Sequence, residues 1–398
     1  MKKYKVPFII YMFFGLVYFN QGLADLPGQC IYYLTRETWG LSATMLGLIG
    51  FFTGIAWYIK PLFGLIADYF GSKGLSKFYL LFNTILIIIA SLVVILIGFN
   101  FWTLLIILTL INCCIASNDV CNDKSMCILE KKHNLSGRIQ AIQWISLGLA
   151  GLFVSVAGAY IANKLPEPYN YKVAYAIMIL APIALLIYLI KYYKPKTNKR
   201  KKIKIQWKEF KNKEFIIGIV FIMFLRFSPS FGKALMIQMR ENMQIGKMFI
   251  GYLGATGTVL GIIGYVIYYW KAYKIDFKKL LYFSITFSAL TNLCYLFIPN
   301  KWAILSYSVI FGAFDGVCFL TILAFVAKIV PLGNEGFFYA VITSVNNLSA
   351  RLGGVVGGLV FDNYGYFANV ILASVTTLTC LFFVPYLKYK KENEELSC

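Results

Sequence analysis

Histidine occurs once in this chain of 398 residues, and 17 acidic side chains stand against 38 lysines and arginines. Only 14% of residues are charged, roughly half the share in an ordinary soluble domain. The lone histidine, His133, sits beside two lysines, and the nine cysteines fall at no zinc-binding spacing, so a metal centre has no ligand set. Cys113, Cys114, Cys121 and Cys127 read as free thiols that act as small helix-packing residues. No G-x-S-x-G, H-E-x-x-H or Walker-type loop occurs, which leaves hydrolase and ATP-driven chemistry without its motifs. The glycine-rich stretches "GATGTVLG" (254–261) and "RLGGVVGG" (351–358) lie inside apolar runs and suit helix packing rather than phosphate binding. No cofactor and no metal are expected, and the chain is not read as an enzyme.

What the chain has in abundance is apolar surface: 59% hydrophobic residues, with 34 phenylalanines and 28 tyrosines. The apolar runs recur along the whole length, each near the ~20 residues a helix needs to cross hydrocarbon. Windows bounded by charged, proline or asparagine breaks fall at 6–26, 42–67, 78–98, 101–122, 138–162, 172–192, 215–235, 247–270, 279–298, 302–326, 337–360 and 366–387. The expectation is an all-α membrane protein of twelve transmembrane helices. The N-terminal "MKKYKVPFII" resembles a signal peptide, but no small-residue cleavage site follows and the first helix is expected to be retained.

The net charge of +21 does not indicate a nucleic-acid partner, because the basic residues cluster between the apolar runs. They alternate in position. Lys2, Lys3 and Lys5 precede the first run, Lys73 and Lys77 follow the second, and Lys124, Lys131, Lys132 and Arg138 follow the fourth. "KYYKPKTNKRKKIKIQWKEFKNKE" (191–214) follows the sixth with eleven basic residues. The opposite loops hold only scattered charges. The positive-inside rule then puts both termini and the basic loop in the cytoplasm. That loop is a topology determinant and linker, and its partly amphipathic "IKIQWKEFK" suits anionic membrane lipid.

The two halves echo each other in order. "FIIYMFFGLVYF" (8–19) matches "FIIGIVFIMFLRF" (215–227), "MLGLIGFFTG" (45–54) matches "FIGYLGATGT" (249–258), and "GRIQAIQWISLGLAG" (137–151) matches "GFFYAVITSVNNLSA" (336–350). The expected organisation is a six-helix bundle at 1–192, a basic linker at 193–214 and a second six-helix bundle at 215–398. Two repeats joined in this way are a secondary-transporter plan.

Four segments are similar to the folate–biopterin transporter family, a branch of the major facilitator superfamily. They are "YFNQGLADLPGQCIYYLTRETWGLSATMLGLIGFFTGIAWYIKPLFGLIADYF" (18–70), "ASNDVCNDKSMCILEKK" (116–132), "GRIQAIQWISLGLAGLFVSVAG" (137–158) and "PLGNEGFFYAVITSVNNLSARLGGVVGG" (331–358). One departure is Ala56, which stands where the family form has proline before the tryptophan. The resemblance implies a major facilitator fold and alternating access. It also implies an anionic folate or pterin as substrate and protons as the coupling partner.

Ionisable groups inside apolar runs are costly and mark function. Arg226, mid-run in "FLRFSPSFGK", stays charged and is the leading anion-binding candidate; Asp315 is its natural protein partner, and Pro229 is expected to kink the helix beside it. Lys60, in "AWYIKP", is a second substrate-binding candidate, or else pairs with Asp25, Asp119 or Asp123, or snorkels to the surface. Asp119 and Asp123 share one helix face at a spacing of four and are candidates for proton coupling or gating, as are Asp25, Asp315 and Arg351. Gln21, Asn346 and Asn347 offer amides to a pterin edge, and Trp57 and Trp144 offer faces for stacking. Lys233 reads as interfacial. The plasma membrane is favoured over an organelle. A carrier of another planar or anionic metabolite such as a nucleobase, or a non-transporting sensor on the same fold, are the alternatives. Saturable flux dependent on Lys60 and Arg226 separates a carrier from a sensor.

Overall fold

The computed structural model describes residues 8–73, 75–133, 138–194, 207–227, 232–270, 276–329 and 335–387, and every regular element among them is helical. In hydrocarbon a helix satisfies each backbone group within its own segment, so long apolar runs have this one local solution. The α-helices are α1 Phe8–Leu23, α2 Gly28–Tyr33, α3 Ala43–Thr53, α4 Ile55–Tyr58, α5 Lys60–Ser72, α6 Ser76–Ile97, α7 Phe101–His133 and α8 Arg138–Lys164. They continue as α9 Tyr169–Met178, α10 Leu180–Lys191, α11 Lys213–Phe227, α12 Gly232–Ile237, α13 Lys247–Trp270, α14 Phe277–Cys294, α15 Lys301–Ile329 and α16 Glu335–Thr379.

Nine helical stretches among the described residues are long and apolar enough to cross a membrane. The molecule is a multi-pass integral membrane protein. Four of the twelve expected runs are not matched one to one by these stretches. The run at 42–67 is broken at Gly54 and Ile59 into α3, α4 and α5. Pro61 explains the second break: its nitrogen has no hydrogen to donate to the preceding turn, and as the second residue of α5 it needs none. The last two runs are continuous from Ala340 to Tyr386, interrupted at Gly365, whose φ of 80° and ψ of −176° leave the helical region. The run at 279–298 is represented by the 18-residue α14. Pro229 lies outside the described residues.

The chain forms two compact units that interleave along the sequence. The first comprises Met1–Gly40, Phe52–Lys201 and Gly246–Ala255. Its core gathers Phe13, Phe14, Leu80, Ile139, Leu185 and Leu189. The short segment 246–255 is joined to it by Lys247, whose Nζ lies 3.4 Å from Glu37 Oε2 and 4.1 Å from the Tyr33 ring centroid. The second unit comprises Leu41–Phe51, Lys202–Ile245 and Thr256–Cys398, with a core of Phe221, Phe325, Phe338, Ile342 and Cys380.

Segment 41–51 is held in the second unit by Asp362 of α16, which caps the start of α3. Asp362 Oδ1 accepts from the Ala43 amide at 3.0 Å, and its Oδ2 accepts from the Thr44 amide at 2.8 Å and the Thr44 hydroxyl at 2.6 Å. These amides have no partner inside their own helix, and a negative charge there also complements the helix dipole. Asp362→Ala is therefore expected to lower stability by about 1–2 kcal/mol, read as a lower midpoint in thermal unfolding of the detergent-solubilised protein. Thr44→Ala, which removes one of the three bonds, should lose less.

Candidate functional site

The break before Pro61 places Lys60 at the first residue of α5, where its side chain reaches α7. There Lys60 Nζ forms an ion pair with Asp119 and lies 3.6 Å from Asp123 Oδ2. The spacing of four brings both carboxylates to the same face of α7. Side-chain exposure is 15% for Lys60, 3% for Asp119 and 35% for Asp123, so the cation and one acid are withdrawn from solvent while the other acid stays reachable. Tyr18 of α1 donates its hydroxyl to Asp123 Oδ1 at 3.0 Å. Trp57 donates from Nε1 to Asn112 Oδ1 at 3.2 Å, and Lys60 Nζ stands 5.6 Å from the Trp57 ring centroid, within reach of a cation–π contact. One cation thus faces two carboxylates.

Buried amides surround this cluster. Gln143 donates to Asn122 Oδ1 at 2.9 Å, and Asn83 donates to Asn118 Oδ1 at 3.3 Å. The sequence reading missed Tyr18, Asn83, Asn112, Asn118, Asn122 and Gln143. A signal for two of them was present: "SNDVCND" repeats Asn-Asp at a spacing of four, so an amide accompanies each carboxylate around the same turn.

The other candidates in the first unit are Gln21, Asp25 and Trp144. Gln21 is half-buried, and its Oε1 is buried without a hydrogen-bond partner among the described residues. Asp25 is exposed in the turn between α1 and α2, and Trp144 is 38% exposed on α8.

In the second unit Arg226 lies in the last turn of α11, half-buried, and its Nε is buried without a hydrogen-bond partner among the described residues. The expected ion pair with Asp315 is not among the ion pairs of the described residues, and Asp315 is exposed on α15. The reason is one of level. The α11–α15 contact is marked by the Phe221 and Phe325 rings, 5.1 Å apart. Arg226 is five residues from that contact and Asp315 ten, a difference in level of at least ~7.5 Å at the rise of an α-helix. Asn346 donates to Asn347 Oδ1 at 3.2 Å, and Arg351 is exposed one turn further along α16. Lys233, read from the sequence as interfacial, is the second residue of α12. It is half-buried, and its Nζ donates to the Leu46 carbonyl of α3.

Helices of membrane-crossing length with charged side chains held among them define a polytopic membrane protein. Solved structures share this fold. The nucleoside transporter NupG matches with a TM-score of 0.72 at 14% identity, covering 96% of this chain and 99% of that one. A D-xylose-proton symporter matches with a TM-score of 0.70 at 14% identity, covering 96% and 99%. The model of the MFS_1 like family matches residues 31–371, and the chain belongs to that family, within the major facilitator superfamily. By sequence it is similar to the folate-biopterin transporter of Synechocystis sp., 24% identical over 429 residues, covering 95% of this chain and 83% of the relative. It is also similar to folate transporter 1 of Plasmodium falciparum, 22% identical over 410 residues, covering 96% and 80%.

Proposed function

We propose that the protein is a secondary active transporter of folate, biopterin or a related pterin compound, driven by protons through alternating access. The observation that carries the substrate class is the similarity, along 95% and 96% of this chain, to proteins named as folate-biopterin and folate transporters. Coupling is assigned to Lys60, Asp119 and Asp123. With all three ionised the cluster carries one negative charge in excess, and a single proton neutralises it, so protonation can alter how α5 is held against α7. Since Lys60 is committed to the carboxylates, anion recognition falls to Arg226. Gln21, Asn346 and Asn347 supply amides to the ring, and Trp57 and Trp144 supply apolar faces. Asp25, Asp315 and Arg351 remain candidates for gating.

The reading includes twelve spans in two six-helix halves, at 1–192 and 215–398 with the basic linker between them. The nine long stretches become twelve when Ala340–Tyr386 is divided at Gly365 and the segments 43–72 and 277–294 are each counted as one. Both termini are cytoplasmic, and the host is the plasma membrane.

The test is uptake of radiolabelled folate into proteoliposomes, with and without an imposed inward proton gradient. Saturable, gradient-stimulated uptake is expected. Arg226→Ala should lower the efficiency of uptake about 10- to 100-fold, the worth of one charge-assisted hydrogen bond. Absence of both folate and pterin flux in folded protein would overturn the substrate class.

A further inference from the structure

Gly50 lies in α3, one turn after Leu46. A Cβ placed on it would stand 3.2 Å from Lys233 Nζ and 3.4 Å from Arg351 Nη1. Two cationic groups, one from α12 and one from α16, therefore converge on a single backbone position of α3, all within the second unit. The missing side chain makes the approach possible: it uncovers the Leu46 carbonyl, to which the Lys233 ammonium donates. Neither Lys233 nor Arg351 forms an ion pair among the described residues. Like charges brought together in this way repel, and an opposite charge placed between them offsets that repulsion.

We propose that Lys233 and Arg351, converging on Gly50, bind a carboxylate tail of the substrate, and so select a heterocycle that carries an acidic tail over one that does not. This rests on the pterin reading above and deepens it. Folate consists of a pterin, a benzoyl spacer and a glutamate with two carboxylates; biopterin has the ring without the acids. The donors suit a carboxylate. A lysine ammonium has three, of which one is engaged by Leu46, and the guanidinium fork of Arg351 matches both oxygens of one carboxylate. Arg351 is exposed, so the fork is reachable. Asn347 lies one turn before it on the same face of α16. Its Oδ1 accepts from the Asn346 amide. Arg226, on a different helix, is left for the second carboxylate.

The experiment measures folate and biopterin binding side by side on the purified full chain, by competition scintillation proximity, for wild type, Arg351→Gln, Lys233→Gln, Gly50→Ala and Arg351→Lys. The ratio of folate to biopterin affinity is expected to fall at least tenfold in Arg351→Gln and in Lys233→Gln. Gly50→Ala should lower it as well, because the new methyl occupies the space where the cations meet. Arg351→Lys should recover part of the ratio by restoring the charge without the fork. Biopterin binding reports in each case that the variant is folded. An unchanged ratio in Arg351→Gln, or equal loss of both ligands, overturns this assignment and leaves the pterin reading standing. Wild-type protein that binds neither compound overturns that reading, and this assignment falls with it.

Discussion

Lys60→Ala is expected to destabilise the first unit by about 3–5 kcal/mol, because it strips the counter-charge from an aspartate that is 2% exposed. The lost attraction is only part of that figure. Most of it comes from leaving Asp119 as a charge that neither water nor a cation can solvate. The size of the effect therefore depends on which partner is removed and what remains. Lys60→Ala with Asp119→Ala should recover much of the stability, since no charge is then stranded, and a similar-sized apolar pair such as Lys60→Met with Asp119→Leu should recover more. Thermal unfolding in detergent reads both. Transport should separate from stability: the double variants fold but lose gradient-driven uptake. Asp123→Asn tests the same cluster from its accessible side. That carboxylate is 35% exposed, so its loss should cost little stability yet still abolish stimulation by the proton gradient. If Lys60→Ala unfolds at the wild-type temperature, the pair is not buried as described. If Asp123→Asn keeps full stimulation, the proton is carried elsewhere.

Much of this was readable from the sequence where the signal is local. Apolar runs near 20 residues announce helices, and a carboxylate pair at a spacing of four announces a shared face. The break before Pro61, which sets Lys60 at the head of its own helix, follows from proline chemistry that the reading did not apply. Contacts between distant residues were less legible. Asp362 caps an amide 318 residues away, and Lys233 reaches a carbonyl 187 residues away. Neither periodicity nor propensity encodes such a pairing; it depends on which helices the fold brings together. Lys233 sits near the end of an apolar run, and in one dimension that position cannot be told from a snorkelling lysine. The Arg226–Asp315 pairing failed for a related reason. Sharing a half of the chain says nothing about level along two packed helices.

Glycine packing between α13 and α15 carries the second large effect. "GTVLGIIG" (257–264) and "GAFDG" (312–316) both have small residues four apart, a pattern that lets membrane helices approach to backbone contact. Only certain members make the contact. A Cβ on Gly264 would stand 2.9 Å from the Gly316 Cα and closer still to the Ala313 carbonyl. One on Gly316 would stand 3.1 Å from the Gly264 Cα, with the Gly261 carbonyl nearer. The atoms met are main chain, so no rotamer change can make room and the helices must part. Lipid offers no hydrophobic drive to hold them together, and the association rests on close dispersion contact that falls off within an ångström of separation. Gly316→Val is therefore expected to lose at least the ~1–3 kcal/mol typical of an overpacked core, seen as a depressed unfolding midpoint and a poor yield of monodisperse protein. Gly264→Ala should be nearly as damaging. Gly257→Ala and Gly261→Ala are the controls, because a Cβ at either position meets nothing within 4 Å, and both should unfold close to wild type. Four glycines of two similar motifs are thus predicted to divide two and two. Equal tolerance at all four would mean that the helices do not cross at Gly264 and Gly316. Equal damage at all four would mean that the whole glycine face of α13 is covered.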